Sequence, residues 1–271
     1  MLLFSDLGDR VLDLQNKERG NVLCVSAVVF KPTKYKQFSR EWGRFLKPWS
    51  ATAFHATDFY GGANEFDWNS KPELRALQIS DSRRIPSMIG KKVERVLLVA
   101  IKPDEYLEKA PRGWLELFGT SAHSMAMQVI LLDLGWWRTD HIPSHKFAYF
   151  MERGDPDYGK VMETQENMRA NLETSKVIGV KSFTGMEKKH QVRGLEVADF
   201  FSWHWNKYCV DFLLKGNAND ARKDFKAAVA ASGNSVSHIF LTGKDLEYFF
   251  SRVPGELLEK AVNENKDLGL S

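Results

Sequence analysis

Asp6, Glu152 and Asp199 are the residues of this chain whose type and placement best suit metal-assisted chemistry. Asp6 closes the apolar run Leu2 to Ser5, and Glu152 closes the run Phe147 to Met151. Asp199 stands inside the aromatic segment Gly194 to Tyr208. Carboxylates brought together repel and shift one another's proton affinity, and a divalent cation relieves that repulsion. All-oxygen sites suit Mg²⁺ or Mn²⁺. Two such ions about 4 Å apart can activate water and stabilise the leaving oxygen of a phosphodiester. Taken singly, each acid reads first as a turn residue, a cap or a surface charge, since most Asp and Glu are merely exposed.

Asp199 is the most awkward of the three. Leu195, Ala198, Asp199, Ser202 and Trp203 share one face of a helix, so a carboxylate lies among apolar neighbours. It loses solvation unless a cation, a donor or a proton compensates. Glu196, three residues earlier, adds a second negative charge on the same side. A divalent metal would offset both, and so would a neighbouring Arg or Lys.

Further groups could assist. His55 and Asp58, in Phe-His-Ala-Thr-Asp-Phe-Tyr-Gly-Gly, pair an imidazole with a carboxylate beside a Gly-Gly step. Such a pair can move a proton or orient water; a core histidine is the equal alternative. Lys188, Lys189, His190 and Arg193 precede the Asp199 helix, where a phosphate backbone would need cations. A second basic stripe, Lys36, Arg40, Arg44 and Lys47, reads as a solvated helix face. Asp155 and Asp157 flank Pro156 and shape a turn; Lys160 at the position that needs glycine excludes an EF-hand, and Asp155 can support Glu152 from behind. Trp203 and Trp205 could stack bases, although aromatics at helical spacing read first as core.

The elements that must position these groups follow from hydrophobic periodicity. Strands are expected at 2–5, 21–30, 95–101, 147–152, 176–183 and 236–242, and an extended segment at 52–58. Helices are expected from Pro32, over 72–92 with a break near Pro86, over 103–118 with an interruption at 111–113, and over 121–137. Others follow the turn after Glu152, carry Asp199, and cover 218–231 and 246–263. Interleaved strands and helices predict an α/β sandwich around one mixed sheet. Residues 1–271 read as a single domain, with 72–137 as a helical insertion capping one side. Two cysteines without a CxxC spacing exclude a zinc ribbon and suit a reducing cytoplasm. No signal peptide or membrane-spanning run is present, and a net charge of +3 argues for nucleic acid only through its local clusters. Homo-oligomerisation is left open. The chain has no phosphate loop and no serine nucleophile elbow.

The pieces, in their order, resemble the bacterial and phage family called domain of unknown function 3800. The matching segments are Phe54-His55-Ala56-Thr57-Asp58, Phe150-Met151-Glu152-Arg153-Gly154 and Leu195-Glu196-Val197-Ala198-Asp199. The resemblance implies a ribonuclease H-like mixed sheet flanked by helices. It also implies a metal-dependent nuclease: Asp6, Glu152 and Asp199 as ligands of Mg²⁺ or Mn²⁺, His55 and Asp58 at the scissile phosphate, Glu196 and Asp155 behind the ligands, and Lys188, Lys189 and Arg193 on the nucleic acid. Two departures stand out. The opening reads Ser5-Asp6-Leu7-Gly8-Asp9 where the family carries Asp-Glu-Ser-Gly. Aligned on Gly8 without a gap, Ser5 replaces the leading acid; with one residue deleted, Asp6 is the leading acid and the preferred ligand. Glu196 also stands where the family has Gln. A weakened opening motif favours the alternative, a nuclease-like module that binds nucleic acid or a protein without cutting.

Overall fold

Apolar runs buried on both faces build the centre of the molecule. The computed structural model describes residues 22–90, 92–153, 158–170, 172–186, 192–215 and 222–252, the backbone of 2–6 and a few positions beyond 252. Strands β2 (Leu23–Phe30) and β3 (Val93–Ile101) are antiparallel neighbours. Cys24, Val28, Phe30, Val96, Leu98 and Ala100 feed one core. Val25, Ala27, Val29, Leu97, Val99 and Ile101 feed a second on the opposite face. Burial on both sides is why these strands read as continuous rather than alternating hydrophobic runs.

Strand β6 (Val236–Leu241) runs parallel to β3 and completes a mixed three-strand unit. Strands β4 (Phe147–Glu152) and β5 (Val180–Met186) form a two-strand parallel unit. Between the two units lies β1 (Leu2–Asp6), antiparallel to β2 and parallel to β4, so the order is β5-β4-β1-β2-β3-β6.

The first core is covered by α1 (Pro32–Leu46), α2 (Ala56–Gly61), α3 (Glu73–Gly90), α9 (Arg193–Lys215) and α10 (Lys223–Ala231). The second is covered by α4 (Pro103–Lys109), α5 (Arg112–Phe118), α6 (Ala122–His141), α7 (Tyr158–Ala170), α8 (Leu172–Ile178) and α11 (Gly243–Ser251). The result is a mixed α/β molecule, mostly helical. No helix among the described residues is long and apolar enough to cross a membrane.

Several expectations about elements are corrected. The segment expected as extended over 52–58 turns helical at Ala56. Pro86 does not break α3. A proline inside a helix costs about 3 kcal/mol locally, and burial of Ile85, Pro86, Met88 and Ile89 offsets it. Close packing adds to this, because Gly90 lies so near Ala231 of α10 that a Cβ there would stand 2.3 Å from the alanine methyl. Strand β5 starts at Val180 rather than 176, since Leu172–Ile178 is helical and ends at Gly179 with φ +56°. Residues 72–137 supply α3 to one face, β3 to the sheet and α4 to α6 to the other face, so they are integral to the sandwich and not a cap on one side.

Candidate active site

Strands β1 and β4 are parallel and finish at the same end of the sheet. Ser5 is opposite Met151, so the next residues, Asp6 and Glu152, terminate neighbouring strands. Across the other edge of β1, Asp6 is opposite Ser26 of β2. The Ser26 hydroxyl donates to the Ala198 carbonyl at 2.7 Å and accepts from the Ser202 hydroxyl at 2.9 Å. This buried polar pair seats α9 on the sheet, with Asp199 in the turn between Ala198 and Ser202. Asp6 and Glu152 thus end adjacent strands, and Asp199 follows directly on the α9 residue bonded to the strand partner of Asp6.

Asp199 is 4% exposed, and its Oδ2 accepts from the Ala56 backbone N–H at 2.9 Å. Ala56 is the first residue of α2, whose N-terminal amides carry partial positive charge. The carboxylate therefore starts the short helix that carries Asp58, and holds the chain directly after His55. His55 and Asp58 are both half-buried there.

Glu196 serves a different purpose. It is fully buried and receives the Arg193 guanidinium at 2.6 Å, the Trp42 indole N–H at 2.7 Å and the Phe54 backbone N–H at 2.9 Å. Burial pushes its carboxyl above the ordinary range, and Arg193 pulls it back. Arg193 also donates to the Thr52 carbonyl at 3.0 Å. Arg193, expected on a phosphate backbone, is thus an interior cation that ties α9 to the segment leading into His55. Its spacing of three residues from Glu196 is a helical ion-pair signal present in the sequence itself.

One turn beyond Asp199 the helix carries an aromatic group that sequence reading did not assemble. Trp203 stacks on Tyr60 at 4.7 Å and 14°. The Arg222 guanidinium lies 4.4 Å over Tyr60 and 5.6 Å from Trp203. Trp205 is 6% exposed and packs on Tyr208 and His238, a core residue as its spacing suggested. His204 is enclosed by Tyr60, Phe200, Trp203 and Phe225. Burial drives its pKa down to about 3, with Asp224 opposing and Arg222 assisting.

Lys36, Arg40 and Arg44 are exposed on α1, opposite Phe38, Trp42 and Phe45, and Lys47 is exposed directly after its end, as a solvated face requires. Asp155, Lys188 and Lys189 lie outside the described residues, as does the side chain of Asp6. Among the described residues no group of three or more His, Cys, Asp or Glu side chains forms a metal cage. Glu152 and Asp199 therefore need the carboxylate at position 6 to make a three-acid set, and such a set has the hard oxygen chemistry that Mg²⁺ and Mn²⁺ take. No family model, curated protein or solved structure matches the chain.

Proposed function

We propose that the protein is a metal-dependent nuclease with a ribonuclease H-like core. The observation that carries this reading is the strand register. It ends β1 and β4 side by side at Asp6 and Glu152, and sets Asp6 opposite the serine that holds the Asp199 turn of α9. A mixed sheet with helices on both faces is also what the family resemblance implies.

Asp6, Glu152 and Asp199 would hold Mg²⁺ or Mn²⁺, which when bound supplies charge neutralisation and a water of lowered pKa. The chain's own residues do the rest. Asp199 fixes the start of α2 and so the position of His55, which orients or protonates groups at the scissile phosphate. Asp58, in the first turn of α2, supports it. Glu196 and Arg193 lock the 52–54 segment against α9 and Trp42, which keeps this arrangement rigid. Lys188 and Lys189 supply cations for the substrate backbone.

The test is cleavage of labelled DNA and RNA with Mn²⁺ or Mg²⁺, comparing the wild-type chain with Asp199→Asn. Asparagine retains a carbonyl oxygen that can accept from Ala56 N–H, but it loses the negative charge. The expected result is metal-dependent cutting by the wild type and loss of at least about a hundredfold in the variant. Full activity in Asp199→Asn, or no cutting by the wild type on any substrate, would overturn the reading.

A second reading has its own support. The Ala56 N–H bond accounts for the buried Asp199 as a helix cap, without a metal. On that basis the protein is a nuclease-like module that binds nucleic acid or a protein partner. Gel-shift binding without cleavage, unchanged by chelation, would favour it.

A further inference from the structure

A second feature lies at the opposite end and on the opposite face of the sheet. There the end of α6, the ends of α7 and α8, and the starts of β4 and β5 surround a cleft of about 350 Å³. β4 is six residues long, so the cleft is roughly 20 Å from the Glu152 end. Arg138, Lys146, Arg169 and Lys176 line it together with Ser144 and Ser175, and no carboxylate is present among its described lining residues.

Arg138 forms the floor. It is 8% exposed, and its guanidinium donates to the carbonyls of Pro143, His145, Lys176 and Val177 at 2.7 to 3.4 Å. All these acceptors are neutral. Two of them, Lys176 and Val177, belong to the C-terminal turn of α8, whose partial negative charge offsets only part of a full cation. The chain admits this arginine at a cost. Gly179 adopts φ +56°, and a Cβ there would stand 2.3 Å from Arg138 Nε. Buried charge is expensive unless paired, and among the described residues the Arg138 guanidinium is paired with carbonyl dipoles. Net positive potential therefore remains at the cleft floor. Because the Arg138 donors are spent on carbonyls, direct bonds to a ligand must come from the rim, where Lys146 and Arg169 are exposed.

We propose that this cleft binds a phosphoryl anion, with Arg138 supplying buried charge and Lys146 and Arg169 the direct contacts. Two exposed cations above a positive floor suit the spread charge of phosphate better than a single carboxylate. The phosphate can come from a free phosphate or nucleotide, or from a nucleic-acid backbone. The proposal is independent of the metal site at the other end of the sheet.

The test uses the full chain without metal. Inorganic pyrophosphate and a short single-stranded oligonucleotide are titrated calorimetrically at low ionic strength. They are applied to the wild type, to the Lys146→Glu/Arg169→Glu double variant, and to Lys36→Glu on the far α1 surface as a charge control. Pyrophosphate binding that weakens about tenfold or more in the double variant but not in the control supports a free phosphoryl ligand. Oligonucleotide binding alone, with the same dependence on Lys146 and Arg169, assigns the site to a backbone phosphate. Absence of binding by both probes, or binding equally affected by Lys36→Glu, overturns the proposal. Circular dichroism of the double variant separates loss of binding from loss of fold. Because nuclease activity is not read, failure of the metal-site proposal leaves this result intact.

Discussion

Two neighbouring acids on one helix, Glu196 and Asp199, are stabilised in unlike ways, and the difference is measurable. Glu196 is held by one cation and two N–H donors with almost no solvent. Replacing it by Gln leaves Arg193 buried without its counter-ion, and breaking a buried pair from one side costs about 3–5 kcal/mol. Urea unfolding of Glu196→Gln is expected to show that loss, and a change below about 1 kcal/mol would refute the buried pair as described. His204 sets the acid response. At neutral pH its ring is uncharged in the folded chain and mostly uncharged in the unfolded one. Below its ordinary value of 6.5 the unfolded chain takes a proton that the folded chain refuses until about pH 3, so stability falls across that window. Glu196 acts with the opposite sign, because its raised pKa lets the folded chain take a proton first. His204→Phe keeps a ring among Phe200, Phe225 and Tyr60 and removes the titration. Chemical denaturation at pH 7 and pH 5 is expected to show a smaller acid loss in that variant than in the wild type. An identical loss would exclude His204 as the cause.

At the scale of elements, short helices and turns owe their form to tertiary partners. α2 has six residues and no side-chain cap of its own, too few to persist alone in water. Its start is held by Asp199, so the element that carries Asp58 depends on α9. The α8–β5 turn depends on Gly179 in the same way. Gly179→Ala puts a Cβ against Arg138 and forces an L side chain into a left-handed backbone. The expected loss is at least about 1 kcal/mol, read as a lowered thermal midpoint. An unchanged midpoint would mean that Arg138 can move aside. The turn from β6 into α11 contrasts with both, since its Thr242–Asp245 capping box is local and legible in four consecutive residues.

The whole molecule separates two kinds of chemistry. Strands β1 and β4 end in the acidic residues Asp6 and Glu152, and cations line the cleft at the other end, where β4 and β5 begin. Between them run β4, buried at alternate residues, and its hydrogen-bonded neighbours in one continuous sheet, which makes the connection a spacer rather than a hinge. Parallel pairing of β1 with β4 brings the chain's first strand beside one that starts about half-way along it, so the acidic end assembles only when distant segments have docked. Asp199→Asn is informative at this scale, since it asks whether the assembled end has a function beyond holding α2.

Local pattern alone was enough to place the apolar strands around 23–30, 95–101, 147–152 and 236–241, the interruption between α4 and α5, and the buried helix around Asp199. Periodicity and propensity are properties of neighbouring residues, so they survive without a fold. The solvated stripe on α1 was legible for the same reason. What compensates a buried charge was not. Asp199 meets an amide 143 positions away, and Glu196 meets an indole 154 positions away. Backbone N–H groups carry no signature of residue type, so nothing in the sequence marks Ala56 or Phe54 as donors. The Arg193–Glu196 pair was visible by spacing, yet only burial decided that Arg193 faces inward. The basic cleft likewise joins residues from α6, α7, α8 and the loop before β4. Tertiary structure decided these points because electrostatic compensation depends on distance in space and on exclusion of water, and both are settled only when the layers pack.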